Sequence, residues 1–240
     1  MITRCRSADP TQAAALAPHW HTDVLDALML SVALTGTLLQ VTGAAHPGAV
    51  AAPAPHPAVS WARYLPVLLV NWGLTLYVSR LFRAGNALPS LLGHRWESAR
   101  RAATDLAFAF GTWVLIRGVE AAFAGYFAVG PNAAVATLLP STVAERLTWV
   151  FVAGSVGFCE EVVYRGYLQV QLAAFTGRAS WGVLLQAVLF GIAHGEQGLA
   201  AALRIAGYGL LLGALARVRS SLLPGIACHV GLDLVSGLLH

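Results

Sequence analysis

Two adjacent carboxylates, Glu160 and Glu161, stand in a stretch of the chain that is otherwise almost wholly apolar, with Arg165 close behind them. Ionisable groups in such segments are costly to hold, and they mark either a functional site or a paired structural contact. Glu161 and Arg165 are spaced i, i+4 with the acid first, the favourable order for a helical ion pair, so one carboxylate has a local partner. Glu160 points about 100° away around a helix, on the side shared with Tyr164 and Tyr167, and has no partner nearby in sequence. A carboxylate desolvated in this way can act as a general base or acid. Two histidines follow on later apolar runs: His194, which closes Phe190-Gly-Ile-Ala-His, and His229, four residues before Asp233. The latter spacing lets the carboxylate orient the ring or share a ligand with it. Either histidine alone reads as a satisfied core residue, but two of them with an unpaired acid on three separate elements point to activation of a water molecule.

Other hydrolytic arrangements lack their residues. There is no H-E-x-x-H for a zinc-protease helix, no G-x-S-x-G serine elbow, and only one Asp in the later apolar runs, so no aspartyl pair. Arg117 and Glu120 lie three apart and neutralise each other on one helix. Cys5, Cys159 and Cys228 are too far apart for a C-x-x-C metal or redox spacing.

The elements that must carry these groups are membrane helices. Only 11% of the 240 residues are charged, against about 25% in an ordinary soluble domain, and the mean hydropathy is +0.66. Runs long enough to cross a bilayer begin near Val24, Tyr64, Asp105, Leu147, Trp181, Leu199 and Leu222, which predicts about seven transmembrane helices. The fold class is therefore all-α and polytopic, with an N-terminal segment over 1–23, a transmembrane region over 24–142 containing about three helices and a basic amphipathic loop, and a core over 143–240 of about four helices. The net charge of +4 comes from arginine alone, since there is no Lys. These arginines are scattered over loops instead of forming a stripe, which excludes a nucleic-acid partner. Arg4, Arg6, Arg80, Arg83, Arg95, Arg100, Arg101, Arg178, Arg217 and Arg219 share one side if the N-terminus is cytoplasmic, and the opposite loops 44–60 and 128–142 carry no Arg. Basic residues are retained inside, so the N-terminus is placed in the cytoplasm. The first span reads as a retained helix, because its apolar run follows a segment containing Asp9 and Asp23 instead of a short basic leader.

Taken in order, the three clusters resemble the motifs of the CPBP group of intramembrane proteases, which includes the eukaryotic type II CAAX prenyl endopeptidase and bacterial Abi proteins. The motifs of that group are E-E-x-x-x-R, F-x-x-x-H and H-x-x-x-N or D; here they are Glu160, Glu161 and Arg165, then Phe190 and His194, then His229 and Asp233. The joining segments are also similar, in Arg165-Gly-Tyr-Leu and in Ser220-Ser-Leu-Leu-Pro-Gly-Ile. The likeness runs from near Arg146 to Asp233, and the earlier part of the chain contributes no recognised motif. The resemblance implies an intramembrane active-site cavity in which Glu160 and His194 activate water. It also implies that His229 and Asp233 support the oxyanion, that Arg165 serves as a structural partner, and that Tyr164 and Phe190 line the cavity. One departure is Asp233, where many members have Asn. An ionised carboxylate only accepts hydrogen bonds, so Asp233 either orients His229 or donates while protonated; the orienting role is the expectation.

The expected activity is endopeptidase cleavage of a membrane-anchored protein or peptide, in a bacterial inner membrane, with the lipid bilayer as the other partner. No cofactor is expected; the alternative is Zn2+ at Glu160, His194 and His229, since three protein ligands suffice for a catalytic zinc. Competing functions are a non-catalytic partner-binding or bacteriocin-immunity protein and a proton-coupled transporter. The transporter would show two related halves, which the sequence lacks. The immunity protein would have lost a motif residue, and none is lost.

Overall fold

The computed structural model describes residues 64–81, 91–126, 136 and 138–239. They form α1 (Leu65–Leu81), α2 (Ala99–Tyr126), α3 (Val143–Glu160), a π-helical stretch (Glu161–Leu168), α4 (Gln169–Thr176), α5 (Ala179–Ile192), a 3-10 turn (Gly195–Gln197), α6 (Leu199–Arg219) and α7 (Leu223–Leu238). The only β contact among the described residues is a single antiparallel bridge between Gly93 and Ser221. The expected span near Val24 and most of the loop over 128–142 fall outside the described residues.

Three helical stretches are long and apolar enough to cross a membrane: Ala99–Ala124, Val143–Thr176 and Leu199–Arg219. Their apolar side chains face outward, as on Phe110, Leu147, Phe151 and Leu203, which suits lipid better than water. The described residues are thus all-helical and of membrane type, with three membrane-length helices and not seven. The run expected from Trp181 stops at Ile192, because the backbone tightens into the 3-10 turn just past His194. The resulting 14-residue helix is about 21 Å long at 1.5 Å per residue, short of the ~30 Å hydrocarbon core. The 16 residues of α7 are likewise short of a full span.

Local signals explain the ends. Thr142 accepts from the Glu145 amide at 3.2 Å while Glu145 Oε2 accepts from the Thr142 amide at 3.0 Å and from the Ser141 amide and hydroxyl at 2.7 Å each. This capping box starts α3 at Val143, earlier than the apolar run alone suggests, and such a cap contributes about 1 kcal/mol. α4 ends where Gly177 takes φ +67°, and Pro224 sits in the first turn of α7, where its missing amide hydrogen is no loss.

One end of the molecule is tied together by polar contacts. His94 N–H donates to Ser220 O and Leu222 N–H to Leu92 O, both at 2.9 Å, and Ser221 Oγ donates to His94 O at 2.7 Å. Buried Asp105 accepts from Trp96 Nε1 at 3.0 Å and from Arg219 Nε at 2.6 Å. The segment preceding α2 and the α6–α7 turn therefore share one face, as the charge alternation requires for Arg95, Arg100, Arg101, Arg217 and Arg219. At mid-height, Arg117 pairs with Glu120, which also accepts from Tyr208 Oη at 2.7 Å, in keeping with a structural role for this pair.

The core around the motifs relies on close helix approach. A Cβ built on Gly191 would lie 2.5 Å from Ala202 O on α6, whereas Gly195 has nothing within 4 Å. Gly195 has already left the helix. Overpacking such a contact costs about 1–3 kcal/mol, so Gly191→Val is expected to lower the thermal midpoint in detergent clearly, while Gly195→Ala leaves it within about a degree. Equal midpoints for both variants would contradict the packing described.

Candidate active site

The first motif straddles a change of helix type. Glu160 is the last residue of α3 and Glu161 the first of the π-helical stretch, every residue of which is buried. The Gln169 amide donates to Tyr164 O, five residues back. Widened turns of this kind are rare and recur at functional sites; here one places two consecutive carboxylates toward different partners. The sequence carried no signal for it.

Glu161 and Arg165 have fully buried side chains, and Arg165 Nη1 donates to Glu161 Oε1 at 2.9 Å. The same oxygen faces His229 Nδ1 at 3.0 Å. A carboxylate only accepts, so Nδ1 of His229 carries the proton and donates it. A Cβ on Gly225 would come within 2.8 Å of Glu161 Oε2, so the absence of a side chain there lets α7 close over the carboxylate. The guanidinium carbon of Arg165 lies 4.3 Å from the Phe190 ring centroid, within cation–π range.

Phe190 is the hub of the arrangement. Its ring meets Tyr164 at 4.9 Å, His194 at 4.8 Å and His229 at 6.0 Å, all edge-on. Its carbonyl receives a hydrogen bond from His194 Nδ1 at 2.8 Å. That bond fixes the His194 tautomer: the proton sits on Nδ1, and Nε2 keeps its lone pair.

A cavity of about 240 Å³ lies between α1, α3 and the ends of α5 and α7, and its lining includes Glu160, Tyr164, His194 and Asp233 together with Asn71 and Trp149. Four residues singled out in the sequence stand differently here. His229 does not line the cavity; it stands behind Glu160, with Nε2 3.6 Å from Glu160 Oε2. Phe190 is also behind the wall, 3% exposed, instead of lining it, and Tyr167 belongs to the core. Asp233 Oδ2 is 3.9 Å from His229 Nε2, beyond hydrogen-bond reach, so it does not hold the ring. Glu161, 68 residues away in sequence, does. Asp233 is fixed through its backbone, whose carbonyl accepts from Trp149 Nε1 at 2.9 Å.

The cavity owes its outer wall to residues that no motif marks. Tyr64 donates to Leu138 O at 2.9 Å and packs against Trp149 at 5.9 Å, while Trp72 packs on Phe158 at 5.8 Å. Only the apolar run of α1 hinted at this contribution.

For a metal, the donor set fits poorly. Among the described residues no group of three or more His, Cys, Asp or Glu side chains is arranged to hold an ion.

Residues 142–235 match the model of the family described as type II CAAX prenyl endopeptidase Rce1-like, in agreement with the group that the three motifs resemble. No curated protein matches the chain, and no solved structure matches it.

Proposed function

We propose that this chain is an intramembrane endopeptidase that hydrolyses a peptide bond of a membrane-associated protein or peptide, with Glu160 and His194 activating the attacking water. The observation that carries this reading is the convergence of Glu160, His194 and Asp233 on one largely apolar cavity, in a chain whose residues 142–235 match a CAAX-type endopeptidase family. A polar cluster in such surroundings interacts strongly with charge that develops during a reaction.

In this scheme Glu160 takes a proton from water, and the lone pair on His194 Nε2 accepts a hydrogen bond from the same molecule. The water oxygen bonds to the carbonyl carbon, the carbonyl electron pair moves to oxygen, and the tetrahedral species collapses as the C–N bond breaks. The proton held by Glu160 passes to the departing amine. Glu161 and Arg165 act one layer back: Glu161 fixes His229 against Glu160, and Arg165 compensates the charge of Glu161.

The scheme uses no metal, and activity is expected to survive exhaustive chelation, with purified active protein containing well under one equivalent of zinc. Loss of cleavage on chelation with recovery on adding zinc would contradict the metal-free step. The reading as a whole is tested by incubating purified protein in detergent with lipid-anchored, internally quenched peptides. Wild type is expected to release fluorescence and His194→Ala to release none; equal rates would refute it.

A further inference from the structure

We propose that Asn71, on the α1 helix outside every recognised motif, supplies the amide hydrogen that stabilises the oxyanion. The inference rests on the endopeptidase reading and extends it to a residue that the reading does not use.

Peptide hydrolysis places negative charge on the carbonyl oxygen, which needs donors already in position. The groups near Glu160 supply few that are uncommitted, and Gln197, the other amide in the lining, has a contact of its own. Asp233 accepts only, unless protonated, and His229 lies behind the cavity wall with its Nδ1 proton given to Glu161. The His194 proton goes to Phe190 O, the Trp149 indole proton to Asp233 O and the Tyr64 hydroxyl proton to Leu138 O.

Asn71 lines the same cavity as Glu160, His194 and Asp233, and is partly buried there. Its Nδ2 donates to Val67 O at 3.1 Å, a bond within the helix that uses one of the two amide hydrogens and fixes the group's direction. The second hydrogen is left for a ligand. Its height along the site follows from the neighbouring packing: Tyr64 meets Trp149 and Trp72 meets Phe158, so α1 runs parallel to α3 and Asn71 lies about one turn before the level of Glu160. An amide donor from α1 would thereby replace the one lost where the third motif ends in Asp instead of Asn.

The test measures kcat and KM on the best-cleaved member of a set of lipid-anchored, internally quenched peptides that includes a farnesyl-cysteine peptide. Losing one such donor lowers kcat by about 10²–10³-fold. Asn71→Ala is expected to show that fall with KM changed less than about threefold, and so is Asn71→Asp, which keeps the shape but only accepts. In an Asp233→Asn background, which restores an amide on α7, the loss from Asn71→Ala is expected to shrink to about tenfold or less. Thermal midpoints of the variants close to wild type show that packing is retained. Wild-type kcat in Asn71→Ala overturns the assignment. If Glu160→Gln abolishes cleavage while Asn71→Ala keeps wild-type kcat, the Asn71 role alone fails. Equal behaviour of wild type and Glu160→Gln overturns the endopeptidase reading and this inference with it.

Discussion

Purified Glu160→Gln is expected to fold and insert as the wild type does while its cleavage rate falls by at least about 10²–10⁴-fold, the contribution of a general base. The amide has nearly the volume and shape of the carboxylate, so packing against His229, 3.6 Å away, is preserved. What it loses is the ability to take a proton from water. Glu160 has no guanidinium partner among the described contacts, its side chain is 14% exposed at the cavity wall, and its basic neighbour His229 keeps Glu161, so its removal strands no guanidinium. The measurement is a paired one, in which cleavage of quenched peptide and thermal midpoint are read on the same preparation. A parallel loss of both would show Glu160 to be structural.

The neighbouring residue is expected to behave in the opposite way. Glu161→Gln leaves the fully buried Arg165 without its counter-charge, and breaking a buried pair by removing one partner costs about 3–5 kcal/mol. It also weakens the bond that holds His229. Low yield and a strongly reduced thermal midpoint are the expected results. Replacing both partners, as in Glu161→Leu with Arg165→Met, is expected to recover much of the stability, because two apolar side chains of similar size have no charge to desolvate. The double variant still lacks the support of His229 and is expected to remain a poor catalyst. A Glu161→Gln protein as stable as wild type would contradict the buried network.

The contrast between these two adjacent glutamates shows what a sequence can and cannot disclose. The Glu161–Arg165 pair is a contact between residues one turn apart, and it survives the change to π-helical geometry with a 2.9 Å bond. The gathering of three clusters on separate helices was legible because each put an ionisable group into apolar surroundings, where something must compensate it. Which group holds which was not legible. Asp233 was the natural partner of His229 by spacing, yet the 3.9 Å separation leaves the ring to Glu161, because a tertiary contact outcompeted a local one. The end of α5 was legible in part, since the apolar run gives way to His194-Gly-Glu-Gln-Gly, where the chain makes its 3-10 turn. Asn71 and Trp149 reach the cavity only through the parallel packing of α1 on α3, and a lone Asn in an apolar helix carries no spacing to mark it.

The central claim is that water, activated at Glu160 and His194, attacks the peptide carbonyl directly inside the membrane cavity. The most direct test is rapid-quench mass spectrometry of wild-type protein turning over a lipid-anchored peptide in H2 18O. The expected result is one 18O in the newly formed carboxyl group, protein of unmodified mass at every quench time, and no product from Glu160→Gln. A transient species with the mass of protein plus the acyl half of the peptide would contradict the claim, since it would place a nucleophilic side chain, and not water, in the attacking position.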